Sequence, residues 1–247
     1  MDTKRILEKL DSYFAANDYS GAERHLKYWL SEAETLNDTR SSLLLCNELV
    51  GLSRKTSQQE QALKYSKAAL AALRSLDMED SVSAATTYIN IATAYKAFGM
   101  ADASLPMFES ACRIYERDLD GSDPRLGGLY NNMALTLCDL GRFEEAYACY
   151  DKALAVMSQV DRGELEQAIT HLNVASALEA QKGLLDADEE INVCLEKASS
   201  LLDIYADSND GYYAFVCEKC ASVFGYYGHF MYEKELIERA EKIYERN

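Results

Sequence analysis

With 247 residues, 48 % of them hydrophobic, the chain can bury a substantial core, which excludes a disordered acidic protein. A formal net charge of −16, with no basic run or stripe to offset it, repels a phosphate backbone, so neither nucleic acid nor an anionic membrane is expected as a partner. Two prolines and twelve glycines, none gathered into a linker, mark no domain boundary, and the scarcity of β-branched runs favours helix.

The chain opens on MDTKRILEKLDSYF, which is amphipathic and charged throughout and lacks the apolar centre of a signal peptide. No later stretch approaches the roughly 20 apolar residues that span a bilayer. A first unit, 1–37, carries Leu10 and Tyr13, a turn at Asn17-Asp18-Tyr19, then Ala22, Leu26 and Trp29. The second, 38–79, has Leu49-Val50 followed by Ala62, Ser66 and Ala69. The third, 80–121, reads Tyr88, Ile91-Ala92, Tyr95, Gly99, Ser104, Phe108 and Ala111. The clearest is the fourth, 122–161: Tyr130, Met133-Ala134, Leu137, the turn Gly141-Arg142-Phe143, then Ala146, Tyr150 and Ala153. His171, Val174-Ala175, Leu178, Gly183, Ala187, Ile191 and Cys194 repeat the frame over 162–207. Cys217, Cys220-Ala221, Phe224, Gly228, Glu233, Ile237 and Ala240 close it over 208–247. The small first-helix position falls at Leu10, Val50, Ala92, Ala134, Ala175 and Ala221, at spacings of 40, 42, 42, 41 and 46.

This frame resembles the tetratricopeptide repeat: aromatic, large-small pair, large residue, glycine turn, then alanine, aromatic, alanine. The standard unit is about 34 residues. The longer period here is similar to that of kinesin light chain, whose repeats carry a segment like Leu129–Asn132. The resemblance implies an all-α, right-handed α–α superhelix of about six helical hairpins forming one repeat domain over 1–247. Extra residues of this number predict about one more turn on each helix. Small residues such as Ala92 and Ala134 sit where helices approach closely, and stacking covers the apolar face that a single hairpin leaves open. Asp123-Pro124 predicts an N-cap followed by proline at the first helical position. Pro106 is harmless if Asp102 caps its helix. If the helix begins near Ala101, Pro106 withdraws a backbone bond and should kink it.

The first helices of such an array line its hollow side. The residue before the large-small pair is Asn90, Asn132 and Asn173 in three consecutive units. An asparagine donates and accepts at once, matching the alternating groups of an extended peptide backbone. Related repeat proteins that hold peptides use asparagines in similar places. The expected function is therefore a non-catalytic scaffold gripping an extended polypeptide, with Thr93, Lys96, Asn131, Leu135 and Ser176 sharing the groove. Alternatively, the asparagines bond only neighbouring helices within the array. The carboxylate clamp of chaperone-binding relatives needs Lys and Arg, and the corresponding residues are Leu7, Asn47, Ile89, Asn131, Leu172 and Glu218.

No catalytic residues, metal site or cofactor are expected. Cys217 and Cys220 form a CxxC with no second pair at zinc spacing, and both fall on core positions. Three histidines lie in three different units. Seven cysteines scattered through helical patterns suit a reducing compartment, so the cytoplasm is the expected location. The partner should be a neutral or basic protein or peptide. A tyrosine-rich end (Tyr205, Tyr212, Tyr213, Tyr226, Tyr227, Tyr232, Tyr244) and a last helix without a further cap leave open a homodimer, or an assembly module binding another copy.

Overall fold

A computed structural model describes residues 1–246. Every regular element among them is an α-helix: α1 (Thr3–Ala15), α2 (Tyr19–Thr35), α3 (Thr39–Lys55), α4 (Gln59–Ser75), α5 (Val82–Ala97), α6 (Ala101–Asp118), α7 (Pro124–Asp139), α8 (Phe143–Met157), α9 (Glu164–Lys182), α10 (Asp188–Asp203), α11 (Gly211–Tyr226) and α12 (Phe230–Tyr244). Consecutive helices pair as hairpins, giving the all-α tetratricopeptide-type arrangement of six hairpins expected from the repeat. The chain divides into two compact units, Met1–Leu119 and Asp120–Asn247, each of three hairpins.

In the first unit the helices are joined mainly by three-residue turns. Asn17, Asn37, Ser57 and Asp77 recur every 20 residues with φ of 53°, 53°, 55° and 51°. A residue in this left-handed region ends a helix, and asparagine is the side chain that tolerates it best. The following amide bonds back into the last turn, as in Asp38 N–H to the Ala33 carbonyl at 2.8 Å and Gln58 N–H to Ser53 at 2.8 Å. The residue after the turn then starts the next helix. Asp18 accepts from the Gly21 amide at 2.8 Å and Asp38 from the Ser41 amide at 3.1 Å, each satisfying an orphan donor of the new helix. The extra length of the repeat lies here in the helices, α3 and α4 having 17 residues each.

In the second unit part of that length moves into the connections at 158–163 and 204–210. Glycine takes the left-handed place at Gly141 and Gly228. Asp123 caps α7 with Pro124 behind it. Its α9–α10 turn leaves Leu185 90 % exposed.

Close packing follows the repeat frame. Ala22, Ala62, Ala92, Ala134, Ala146 and Ala175 are completely buried, while Leu26, Phe108 and Tyr150 fill the adjoining space. Full burial of each large apolar side chain contributes about 1.5–3 kcal/mol. The first unit's core runs from Ile6 to Ala94 and a second core from Leu165 to Ile243.

Two details answer the sequence reading. The sixth helix does begin at Ala101, so Pro106 lies inside it, on the exposed side, and offers no N–H to the carbonyl one turn back. In α12 the inner face is Leu236, Ala240 and Ile243, whereas Ile237, at the frame position that Tyr150 holds in the fourth unit, points outward together with Tyr244. Leu236 takes the inward place one position earlier, and Phe224 packs against Tyr232 with ring centroids 4.7 Å apart.

Candidate functional site

The asparagines sit where the first helices of successive hairpins meet. On α5, Asn90 Nδ2 donates to the Asn47 carbonyl of α3 at 2.8 Å. Asn47 Nδ2 in turn donates to Thr87 Oγ1 of α5 at 3.0 Å, and its own Oδ1 is buried without a hydrogen bond. The second unit repeats the device: Asn173 Nδ2 of α9 donates to Asn131 Oδ1 of α7 at 3.1 Å. Asn132 turns back on its own helix, donating to the Gly128 carbonyl at 2.8 Å. Asn90, Asn131, Asn132 and Asn173 are all half-buried. Asn90, Asn132 and Asn173 each spend one N–H within the array, and an asparagine carries a second N–H and a two-lone-pair oxygen besides.

The remaining predicted residues lie along the same helices. Thr93 and Ser176 return their hydroxyls to Ile89 and Leu172 carbonyls one turn back, at 2.7 Å and 3.2 Å. Lys96 and Leu135 are half-buried. Thr93, Lys96 and Asn90 belong to the first unit, and Asn131, Asn132, Leu135, Asn173 and Ser176 to the second. Glu48 takes the asparagine's place on α3, where burial and then Asp11 raise its carboxyl above the usual range. On α11 that place is Lys219.

Aromatic hydroxyls supply further ties in the second unit. Glu179 of α9 accepts from Tyr226 at 2.6 Å and from Tyr227 at 2.8 Å. Tyr205 donates to Glu164 at 2.8 Å, and Tyr212 donates to Glu166. Tyr232 and Arg239 both reach Asp203, each at 2.8 Å. Of the tyrosines near this end, Tyr213 is completely buried and Tyr212, Tyr226 and Tyr244 are exposed.

Groups with chemical potential elsewhere are packed away or dispersed. Cys217 and Cys220 are buried, and burial pushes the Cys220 thiol up to about 12. None of the seven cysteines is disulfide-bonded. Burial, then Lys197, lowers the His171 imidazole, while His25 bonds the Ile6 carbonyl at 3.0 Å. Among the described residues no three His, Cys, Asp or Glu side chains are grouped to hold a metal ion, and no helix is long and apolar enough to cross a membrane.

Sequence reasoning missed Gly128, Glu166 and Tyr212, which line a cavity in the second unit. A signal for them existed. Glu166 lies seven residues before Asn173, Tyr212 seven before Lys219, and Gly128 four before Asn132, so all share the stripe of the asparagine position.

The tetratricopeptide repeat family model matches residues 41–117 and 126–198, together more than half of the chain. No curated protein sequence matches significantly. Among solved structures, BtubC (BKLC) from P. vanneervenii is 19 % identical with a TM-score of 0.70, over 81 % of this chain and 79 % of that one. A kinesin-light-chain-type protein of nearly identical TPR-like repeats from Podosopora anserina is 16 % identical with a TM-score of 0.57, over 83 % and 96 %. A Rap protein complexed with Competence and Sporulation Factor is 16 % identical with a TM-score of 0.62, over 98 % of this chain and 63 % of that one. At these identities the likeness is one of fold. The repeat frame, the six hairpins and the family match agree: this chain belongs to the tetratricopeptide repeat family, with long repeats of the kinesin-light-chain kind.

Proposed function

We propose that the chain is a non-catalytic protein- or peptide-binding scaffold that holds an extended polypeptide along its first helices, with Asn90, Asn132 and Asn173 as the backbone-gripping residues. The observation that carries this reading is the half-buried asparagine at one repeat position, each with one N–H spent on the array and further bonding capacity left over. Thr93, Lys96, Asn131, Leu135 and Ser176 flank the row. A Rap protein of this fold has been solved in complex with Competence and Sporulation Factor. A net charge of −16 favours a neutral or basic ligand, and cysteines without disulfides fit a cytoplasmic setting.

The test is the triple change Asn90→Ala, Asn132→Ala, Asn173→Ala, read by affinity capture from host lysate with mass spectrometry, then by direct titration of the captured polypeptide. Binding should be lost. Helical content should persist, and melting should fall by no more than about 6–12 °C, because the three internal bonds removed are worth about 1 kcal/mol each. Collapse of the fold, or unchanged binding, would assign these asparagines to helix–helix bonding alone.

A second reading, self-assembly, draws on one feature. Phe230, Ile237 and Tyr244 form a seven-residue-spaced row on α12, exposed by 67 %, 40 % and 47 %. Light scattering over a concentration series separates the two, since a strict monomer removes the assembly version.

A further inference from the structure

The second unit holds a cavity of about 560 Å³ on the asparagine stripe, toward the amino-terminal ends of α7, α9 and α11. Gly128 makes the room for it. A Cβ at Gly128 would meet nothing within 4 Å, whereas one at neighbouring Gly127 would come 2.4 Å from Met157 Cε. Gly127 is therefore set against the Met157 side chain, and Gly128 faces open space. Met157, Val160 and Pro124 provide apolar walls.

The charges around it are unbalanced. Arg125 bonds Asp123 at 2.6 Å, and Arg162 bonds Asp210 at 2.6 Å while lying 5.0 Å from the centre of the Tyr205 ring. Lining residues and these partners set two guanidiniums against four carboxylates: Asp123, Asp161, Glu166 and Asp210. Glu166 is half-buried and receives the Tyr212 hydroxyl, and no cation among the described residues pairs with it. Beside it the Tyr212 ring stacks on Phe215, with centroids 6.3 Å apart and planes at 25°. Phe215 itself is 53 % exposed.

A half-buried carboxylate next to a partly exposed aromatic ring suits a guanidinium, which hydrogen-bonds through its edge and stacks through its plane. We infer that this cavity is a specificity subsite for an arginine side chain of the bound polypeptide, seated against Glu166 and the Tyr212 ring that Phe215 backs. An acidic side chain there would face surplus negative charge. A plain aliphatic one would leave the carboxylate unpaired. The biological use of the subsite rests on the peptide reading above, but its chemistry can be measured without the natural ligand.

The experiment titrates the isotope-labelled chain with N-acetyl-arginine amide, and with N-acetyl-norleucine amide as the neutral control, following the Gly128 and Gly163 amide resonances. Arginine should give saturable shifts there and norleucine none. Gly128→Leu fills the open space with a better helix former, so it should abolish the Gly163 shift while leaving the melting temperature unchanged or raised. Glu166→Gln should weaken binding by roughly tenfold or more. Absent arginine shifts, equal response to norleucine, or shifts that survive Gly128→Leu would each overturn the subsite. Arginine binding that persists in a chain whose asparagine variants still hold the same polypeptide would instead remove the asparagine reading and leave the subsite standing.

Discussion

Three hairpins make up each of the two compact units, yet the hairpins are tied together differently. In Met1–Leu119 the organisation is local: left-handed Asn17, Asn37, Ser57 and Asp77 stop one helix, and Asp18 and Asp38 cap the next within a residue. In Asp120–Asn247 the connections are longer, and phenols reach carboxylates 41 to 48 residues away, as in Tyr205 to Glu164 and Tyr227 to Glu179. The same packing frame can thus be completed either by turn chemistry or by long-range hydrogen bonds. The first route is set by backbone conformation. The second depends on protonation.

Matched core truncations test whether packing is common to both units. Phe108→Ala in the first and Phe224→Ala in the second remove side chains 0 % and 1 % exposed. Each should cost about 3–5 kcal/mol by denaturant unfolding. A difference above about 2 kcal/mol would show that the cores themselves differ.

Alkali should separate the units next. Burial, reinforced by the carboxylates they bond, raises the phenols of Tyr205, Tyr212, Tyr227 and Tyr232. In the first unit Tyr65 and Tyr88 are raised. A phenol whose folded pKa exceeds its unfolded value near 10 stabilises fully below that pH and loses the contribution as pH rises toward the folded value. Hydrogen exchange above about pH 10 should therefore accelerate first in the second unit. Simultaneous opening would erase this part of the comparison.

The turn residues offer a smaller and reciprocal effect. Ser57→Gly should stabilise by up to about 1 kcal/mol, and Gly141→Ser should destabilise by about the same. For a chain of this size each corresponds to a melting shift of about 2–4 °C. Shifts of the same sign at both sites would deny that the left-handed backbone is what the turns require.

Acid should have the least influence. Hydrogen bonds from the Ser41 hydroxyl and then its amide hold the half-buried Asp38 carboxyl down at about 2. A depressed carboxylate contributes stability above its unfolded pKa, near 4, and loses it as pH falls through the folded value. Fraying at the start of α3 should therefore appear by hydrogen exchange only between about pH 4 and pH 2. Asp38→Asn should flatten that dependence.

Much of this was legible in the residues. Ala92, Ala134 and Ala175 recur because close helix contact admits only small side chains, and such a constraint is written at a fixed period. The Asp123-Pro124 start and the Gly141 turn follow from backbone rules that act within a few residues. The candidate site was half legible: Asn90, Asn132 and Asn173 stood out by position. Their partners did not, since Asn90 bonds a main-chain carbonyl of α3 while Asn132 bonds its own helix.

By itself, then, the sequence determined the helical hairpin, its repetition and the turn residues, all of which depend on neighbours in the chain or on a regular period. Only the tertiary structure decided that Leu236 rather than Ile237 faces inward on α12, that Glu179 serves two tyrosines, and that Gly128, Glu166 and Tyr212 border one cavity. Each of these depends on distances between side chains far apart in sequence, and a rotation of one helix by a single residue would change them without altering the pattern.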